Sequence, residues 1–251
     1  MNIEKTILEK TAYVSGYQEK TDRYQLSASM VGNDALQNYL SIVHGKVPDK
    51  SVTDATLGTI MHLGMETLMQ DVKGVKTEVS RHRELGDSWV ITGTADLVLD
   101  KGDYEEIYDY KFIKKYALEM IHKEGRNHRY ALQLAVLAWL SDKEVRPYIA
   151  AFVKDAQALK NEPVFNLIPV DIYSKEEVEE MLKTETGKLE HYLRNQEMPP
   201  KCEDTWKRKV KGMGLIEMRC ALYCSYGKAG FCPYYKQDSR QELKKKLSIQ
   251  W

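Results

Sequence analysis

Residues 93–111 read GTADLVLDKGDYEEIYDYK, and two strands joined by a tight turn account for them best. The first strand is expected over Trp89–Leu99, the turn over Asp100-Lys101-Gly102-Asp103, and the second strand over Tyr104–Phe112. Side chains alternate along a strand, so Asp109 and Lys111 share one face, with Asp96 on the neighbouring strand. Two carboxylates and an ammonium that converge at a hairpin are costly to bury without a task. A divalent metal and a phosphate would supply one. Asp100 and Asp103 read as turn residues rather than ligands.

Outward from the hairpin, the chain alternates helical and extended signals. A helix is expected over Leu26–Leu40, opened by Ser27 or Ser29, then a loop over about Gly45–Asp54. A second helix, Leu57–Gln70, carries His62 and Glu66 one turn apart. A strand over Lys76–Arg83 leads into the hairpin, with Glu78 near its start. Beyond it, His128–Leu140 (HRYALQLAVLAWL) is apolar enough for a buried helix. Strands follow at Arg146–Val153 and Val164–Pro169. Ser174 and Glu177 form a capping box for a helix that runs to Asn195 and packs through Val178, Leu182, Leu189 and Leu193. This order predicts an α/β fold: a mixed central sheet flanked by helices, with a cysteine-rich tail. The domain reading is a core over residues 1–198 and a tail over 199–251 packed on it.

The chain has 251 residues, 43% of them hydrophobic, which suffices for one large core. No apolar run approaches the roughly 20 residues that cross a bilayer, and the N-terminus lacks a signal-peptide core. A soluble, cytoplasmic protein with no membrane partner is expected, in a bacterial cell or a phage-infected host. Net charge is zero, which argues against a purely electrostatic nucleic-acid binder. Lys207, Arg208, Lys209 and Lys211 form one basic cluster; Arg240, Lys244, Lys245 and Lys246 form another. Either could track a phosphate backbone or simply face solvent.

The segment Asp96…Asp109-Tyr110-Lys111 resembles the PD-(D/E)XK nuclease superfamily. Gly93-Thr94-Ala95-Asp96 looks like the Gly-x-x-Asp signature of its RecB-like exonuclease branch, and Ile107–Lys111 like its second motif. Gly58-x-x-x-His62-x-x-x-Glu66 looks like the helix that supplies a histidine ligand. Gln133 stands where the branch carries Gln-x-x-x-Tyr, although Leu137 replaces the tyrosine; Tyr130, one turn earlier, is the candidate substitute. The resemblance implies a restriction-endonuclease-like core and a Mg²⁺ or Mn²⁺ site. His62, Asp96, Asp109 and the carbonyl of Tyr110 would hold the metal. Asp109 and Asp96 would act in catalysis with Lys111, which orients or deprotonates water, and with Gln133. Glu66 is a candidate supporting residue and Glu78 a further candidate ligand.

Cys202-x17-Cys220-x3-Cys224-x7-Cys232 places all four cysteines in the last fifth of the chain. In a reducing compartment such clustering points to metal rather than disulfides. AddB-type and CRISPR-adaptation exonucleases carry an iron–sulfur cluster in a similar place, so the resemblance implies a [4Fe–4S] cluster on these cysteines. Cys202 would replace a ligand that those enzymes take from upstream. Zinc and unligated thiols remain the alternatives. Trp206, Tyr223, Tyr226, Tyr234 and Tyr235 would pack around such a site or stack on single-stranded bases.

The expected function is therefore a metal-dependent DNA exonuclease in phage or bacterial recombination, repair or DNA processing. Its partners would be linear DNA ends or single strands, a recombinase or helicase (the chain has no nucleotide-binding Gly-x-x-x-x-Gly-Lys motif), and further copies of itself. The competing readings are a DNA-binding or regulatory module without turnover and a structure-specific endonuclease.

Overall fold

The computed structural model describes residues 23–45, 47, 53–157, 163–203, 207–210, 213–235 and 243. The chain forms two compact units, Met1–Gly32 with Val52–Thr186, and Asn33–Ser51 with Gly187–Trp251.

The first unit is built on a six-stranded mixed sheet. Its strands are β1 (Tyr24–Ser27), β2 (Val75–Leu85), β3 (Trp89–Asp100), β4 (Tyr104–Ile113), β5 (Glu144–Val153) and β6 (Phe165–Pro169). β2 pairs antiparallel with β3 along its length, with a break at Glu78. The other edge of β3 is divided. Trp89–Thr92 pairs with β1 in parallel, and Leu97–Asp100 pairs with β4 antiparallel. Gly93-Thr94-Ala95-Asp96 falls in the fork between those two partners. β4 then runs parallel to β5 from Tyr104↔Glu144 to Ile113↔Val153, and β6 closes the edge antiparallel.

A parallel β4–β5 pair requires a crossover. Two helices supply it, Lys115–Glu124 and Arg129–Trp139. With Ala35–His44 as α1 and Thr53–Met69 as α2, these are α3 and α4. Leu134 and Leu137 of α4 are fully buried with Ile91, Ile107 and Ile149 of the sheet. Gly93 permits that approach: a Cβ there would lie 2.6 Å from Leu137 Cδ2 and 3.0 Å from Leu140 Cδ1. α2 packs Met65 and Met69 against Leu97, Tyr110 and Ala150. The fold is thus a mixed α/β core with helices flanking a central sheet.

The hairpin turn lies where it was expected. Gly102 is left-handed (φ +89°), and its N–H donates to Asp100 Oδ1 at 2.9 Å. The capping box of α5 (Lys175–Asn195) is reciprocal: Ser174 N–H donates to Glu177 Oε2 at 2.8 Å, and Glu177 N–H to Ser174 Oγ at 3.2 Å. The expected helix Leu26–Leu40 does not form. Leu26 is buried in β1, residues 28–30 make one 3-10 turn, and Gly32 breaks the run with φ +79°. The helix begins only at Ala35. Most of the expected loop 45–54 lies outside the described residues. α3 is a helix that the sequence pattern alone does not announce. Among the described residues no helix is long and apolar enough to cross a membrane.

The second unit holds an antiparallel hairpin, β7 (Lys207–Val210) and β8 (Gly214–Glu217), a π-helical turn at Arg219–Tyr223, and the short α6 (Ser225–Lys228). Val210, Met218, Ala221 and Leu243 form its core, with Met213 and Ile216 packed on it. Lys207, Arg208 and Lys209 lie on β7. Trp206, Lys211, Arg240, Lys244, Lys245, Lys246 and the Tyr223 side chain lie outside the described residues.

Candidate active site

The β3–β4 ladder ends at Leu97↔Tyr108. One step further its register would place Asp96 opposite Asp109, so the two carboxylates meet where the strands part. Asp96 takes over the lost backbone partner, and its Oδ2 accepts from Tyr110 N–H at 2.6 Å. That bond fixes the carboxylate and turns Oδ1 toward α2, where His62 Nδ1 lies at 3.3 Å. The bond to Asp96 raises the His62 pKa, with burial opposing. Its ring also meets Tyr110 edge-on, with centroids 6.0 Å apart.

Asp109 is 1% exposed. Gln133 of α4 donates from Nε2 to its Oδ1 at 3.1 Å, and Lys111 Nζ stands 2.6 Å from Oδ2. The lysine contact is a close ion pair. Burial pushes the Asp109 carboxyl up to about 6, while the Lys111 charge pulls the other way. Lys111 is itself buried, which lowers its pKa. The nearby Asp109 and Asp96 carboxylates more than offset that, so its ammonium is held charged. Tyr130, one turn before Gln133, places its ring 4.8 Å from Lys111 Nζ. Its own position is set by His128, whose Nδ1 accepts from Tyr130 N–H at 3.2 Å and caps α4. Leu137, in the position of the missing tyrosine, packs toward Gly93 instead.

Glu78 completes the picture from β2. It stands between the pairs Thr77↔Leu97 and Val79↔Ala95, opposite Asp96, where no ladder pair forms. Its backbone is left-handed, φ +51°. Leu97 clusters with Tyr110 on the face that α2 covers, whereas Gly93 looks toward α4. Residues four apart on a regular strand share a face. The alternation therefore inverts at Glu78 and Asp96. Burial first, then the Asp96 charge, raises the Glu78 pKa. Among the described residues, His62, Glu78 and Asp96 bring three ligand atoms within 4.8 Å of one another. Glu66 acts on Glu78 through its charge but adds no ligand atom to that group. Asp100 is engaged at the turn and with Lys143 Nζ at 2.7 Å, away from the site.

One nitrogen and several carboxylate oxygens form a hard donor set that suits Mg²⁺ or Mn²⁺. Asp109, buried beside this group, is a further carboxylate that a cation could share with Lys111.

In the second unit Cys202, Cys220, Cys224 and Cys232 are free and partly buried. Burial pushes the Cys202 thiol up to about 12, with the Asp34 charge adding to it. Burial also raises Cys220 and Cys232, and the thiols act on one another electrostatically. Cys224 Sγ accepts from Gly227 N–H at 3.3 Å, at the N-terminus of α6. Arg219 joins the segments of the unit through Asp34, at 3.2 Å, and Gln37. The thiols act on one another through charge, but among the described residues they do not form a converging group of ligand atoms as His62, Glu78 and Asp96 do.

No family model and no curated protein matches the chain. Solved structures do. The crystal structure of SSO0001 superimposes with a TM-score of 0.61, covering 94% of this chain and 99% of that one at 15% identity. An alkaline exonuclease, LHK-Exo from Laribacter hongkongensis, gives a TM-score of 0.47 over 68% of this chain and 92% of that one, at 12% identity. The likeness to SSO0001 is one of fold, carried by the spatial arrangement rather than by residue identity.

Proposed function

We propose that the chain is a Mg²⁺- or Mn²⁺-dependent deoxyribonuclease that degrades DNA from its ends. The observation that carries this reading is the buried Asp109, flanked by Lys111 and Gln133 and facing Asp96 across the fork in the sheet. His62, Asp96, Asp109 and the Tyr110 carbonyl would hold the metal. Once bound, it would polarise a phosphoryl oxygen and make a bound water nucleophilic at neutral pH. The chain's own groups do the rest. Tyr110 N–H and His62 orient Asp96. Gln133 orients Asp109. Lys111, set by Asp109 and the Tyr130 ring, presents a positive charge to the phosphate and to the oxygen that leaves it.

We further assign a [4Fe–4S] cluster to Cys202, Cys220, Cys224 and Cys232, with a structural role. Brown colour with broad visible absorption, lost in Cys224→Ser, is the expected result; a colourless, zinc-containing anaerobic preparation overturns it.

The function is tested on linear and closed circular DNA in Mg²⁺ and Mn²⁺, with both ends labelled separately. Loss of linear DNA with intact circles is expected. Nicked circles would make the enzyme an endonuclease, and no degradation in either metal would leave a binding module. Asp109→Ala should reduce cleavage at least 100-fold while circular dichroism stays unchanged.

A further inference from the structure

The group with ligand atoms converging to a cation's dimensions, His62, Glu78 and Asp96, does not include Asp109. Both Asp109 oxygens have neighbours on its own side, Gln133 at Oδ1 and Lys111 at Oδ2. Glu78 occupies the position across from Asp96, at the point where the β2–β3 ladder is interrupted. A left-handed backbone is strained at a glutamate, and the carboxylate of this one feels the charge of a second, Asp96. Strain and like charge coincide at one residue, and among the described residues His62 offsets only part of the charge. Asp109, buried and interacting through charge with both Asp96 and His62, offers the next carboxylate oxygen.

We infer that Glu78 is a side-chain ligand of the catalytic metal, so that His62, Glu78 and Asp96 form one wall of the centre and Asp109 the other. This rests on the nuclease reading above. Asp96 is then the shared carboxylate. Its Oδ2 is tied to Tyr110 N–H and its Oδ1 faces His62. A cation held there would compete with Lys111 for Asp109 and leave more of the ammonium's charge to the phosphate.

Mn²⁺ titration calorimetry on the full chain tests this, with Glu78→Gln, Glu78→Gly and Asp109→Asn beside the wild type. Melting curves in EDTA report whether each variant folds. Both Glu78 variants should bind Mn²⁺ about 10- to 100-fold more weakly, the scale on which even supporting groups tune a site. Glycine tolerates the left-handed backbone, so Glu78→Gly should melt about 2–4 °C above Glu78→Gln in EDTA. Unchanged Mn²⁺ affinity in folded Glu78→Gln, with weakened binding in Asp109→Asn, overturns the role of Glu78 and leaves the nuclease reading standing. A wild type that binds no Mn²⁺ overturns both.

Discussion

Asp109 and His62 tie this site to pH in the same direction. The Asp109 carboxyl is pushed up to about 6 by burial, and His62 is raised by Asp96. Both groups must lose their proton to act as ligands. In the metal-free fold the sign is the reverse. A raised folded pKa contributes stability that is complete below the unfolded value and is lost as pH rises through the folded one. Acid therefore favours the empty site, and alkali favours the loaded one. The rise in melting temperature caused by Mn²⁺ should be near zero at about pH 5, grow through about pH 6, and level off by about pH 8. Asp109→Asn should flatten that curve. A wild-type shift that is equal at both ends of the range would remove Asp109 from the ligand set. Both residues were legible in the sequence because Asp-x-Lys on a strand and a histidine on a helix are local patterns. Glu78 was readable only as a weak candidate. Its importance depends on cross-strand register and on an inversion of side-chain alternation, neither of which leaves a mark in composition or periodicity.

At the level of elements, the site depends on how closely α4 approaches β3, because α4 carries both Gln133 and Tyr130. Gly93 sets that distance. Its φ is not left-handed, so space rather than backbone freedom calls for glycine. A Cβ would sit 2.6 Å from Leu137 Cδ2 and 3.2 Å from Ala28 Cβ. Gly93→Ala should destabilise the fold by about 1–3 kcal/mol, the usual range for overpacking. It should also reduce cleavage by displacing Gln133 from Asp109. Adding Leu137→Ala removes the nearest of the clashing methyls. The double variant should then lose less stability than the two single losses summed, as coupling between residues in contact requires. Additive losses in urea denaturation would show that Gly93 does not answer to Leu137. This pair also bears on the place where the sequence departs from the Gln-x-x-x-Tyr pattern that it resembles. Leu137 fills the space above Gly93, while the ring beside Lys111 comes from Tyr130, one turn earlier on the same helix. The apolar run of α4 announced a buried helix. Which of its side chains would face Lys111 followed only from its docking on the sheet.

Over the whole molecule, the sheet core was the readable part and the cysteine region was not, because the second unit is discontinuous. The sequence suggests a tail beginning at residue 199, yet the unit also takes in residues 33–51. Its segments are joined by polar contacts between residues far apart in the chain. Asp34 accepts from Glu203 N–H at 2.9 Å and pairs with Arg219 at 3.2 Å. Tyr226 Oη donates to the Gly45 carbonyl at 3.2 Å, and His44 stacks on Phe231 with centroids 4.1 Å apart. None of these pairs has a signature in local pattern; each needs the fold to bring it together. A chain truncated after residue 198 would therefore lose more than a tail. α1 would keep its position in the sequence but lose Arg219, Tyr226 and Phe231, and the Asp34 carboxylate would lose its cation. Each lost contact of this kind contributes on the order of 1 kcal/mol, enough together to free a helix of ten residues that is marginal in isolation. Limited proteolysis of the truncated chain should cut within 33–51 at least 10-fold faster than in the full chain, while the sheet residues 75–153 stay protected. Equal cleavage rates in the two chains would show that α1 holds its place without the C-terminal segment, and that residues 199–251 do form a separable tail.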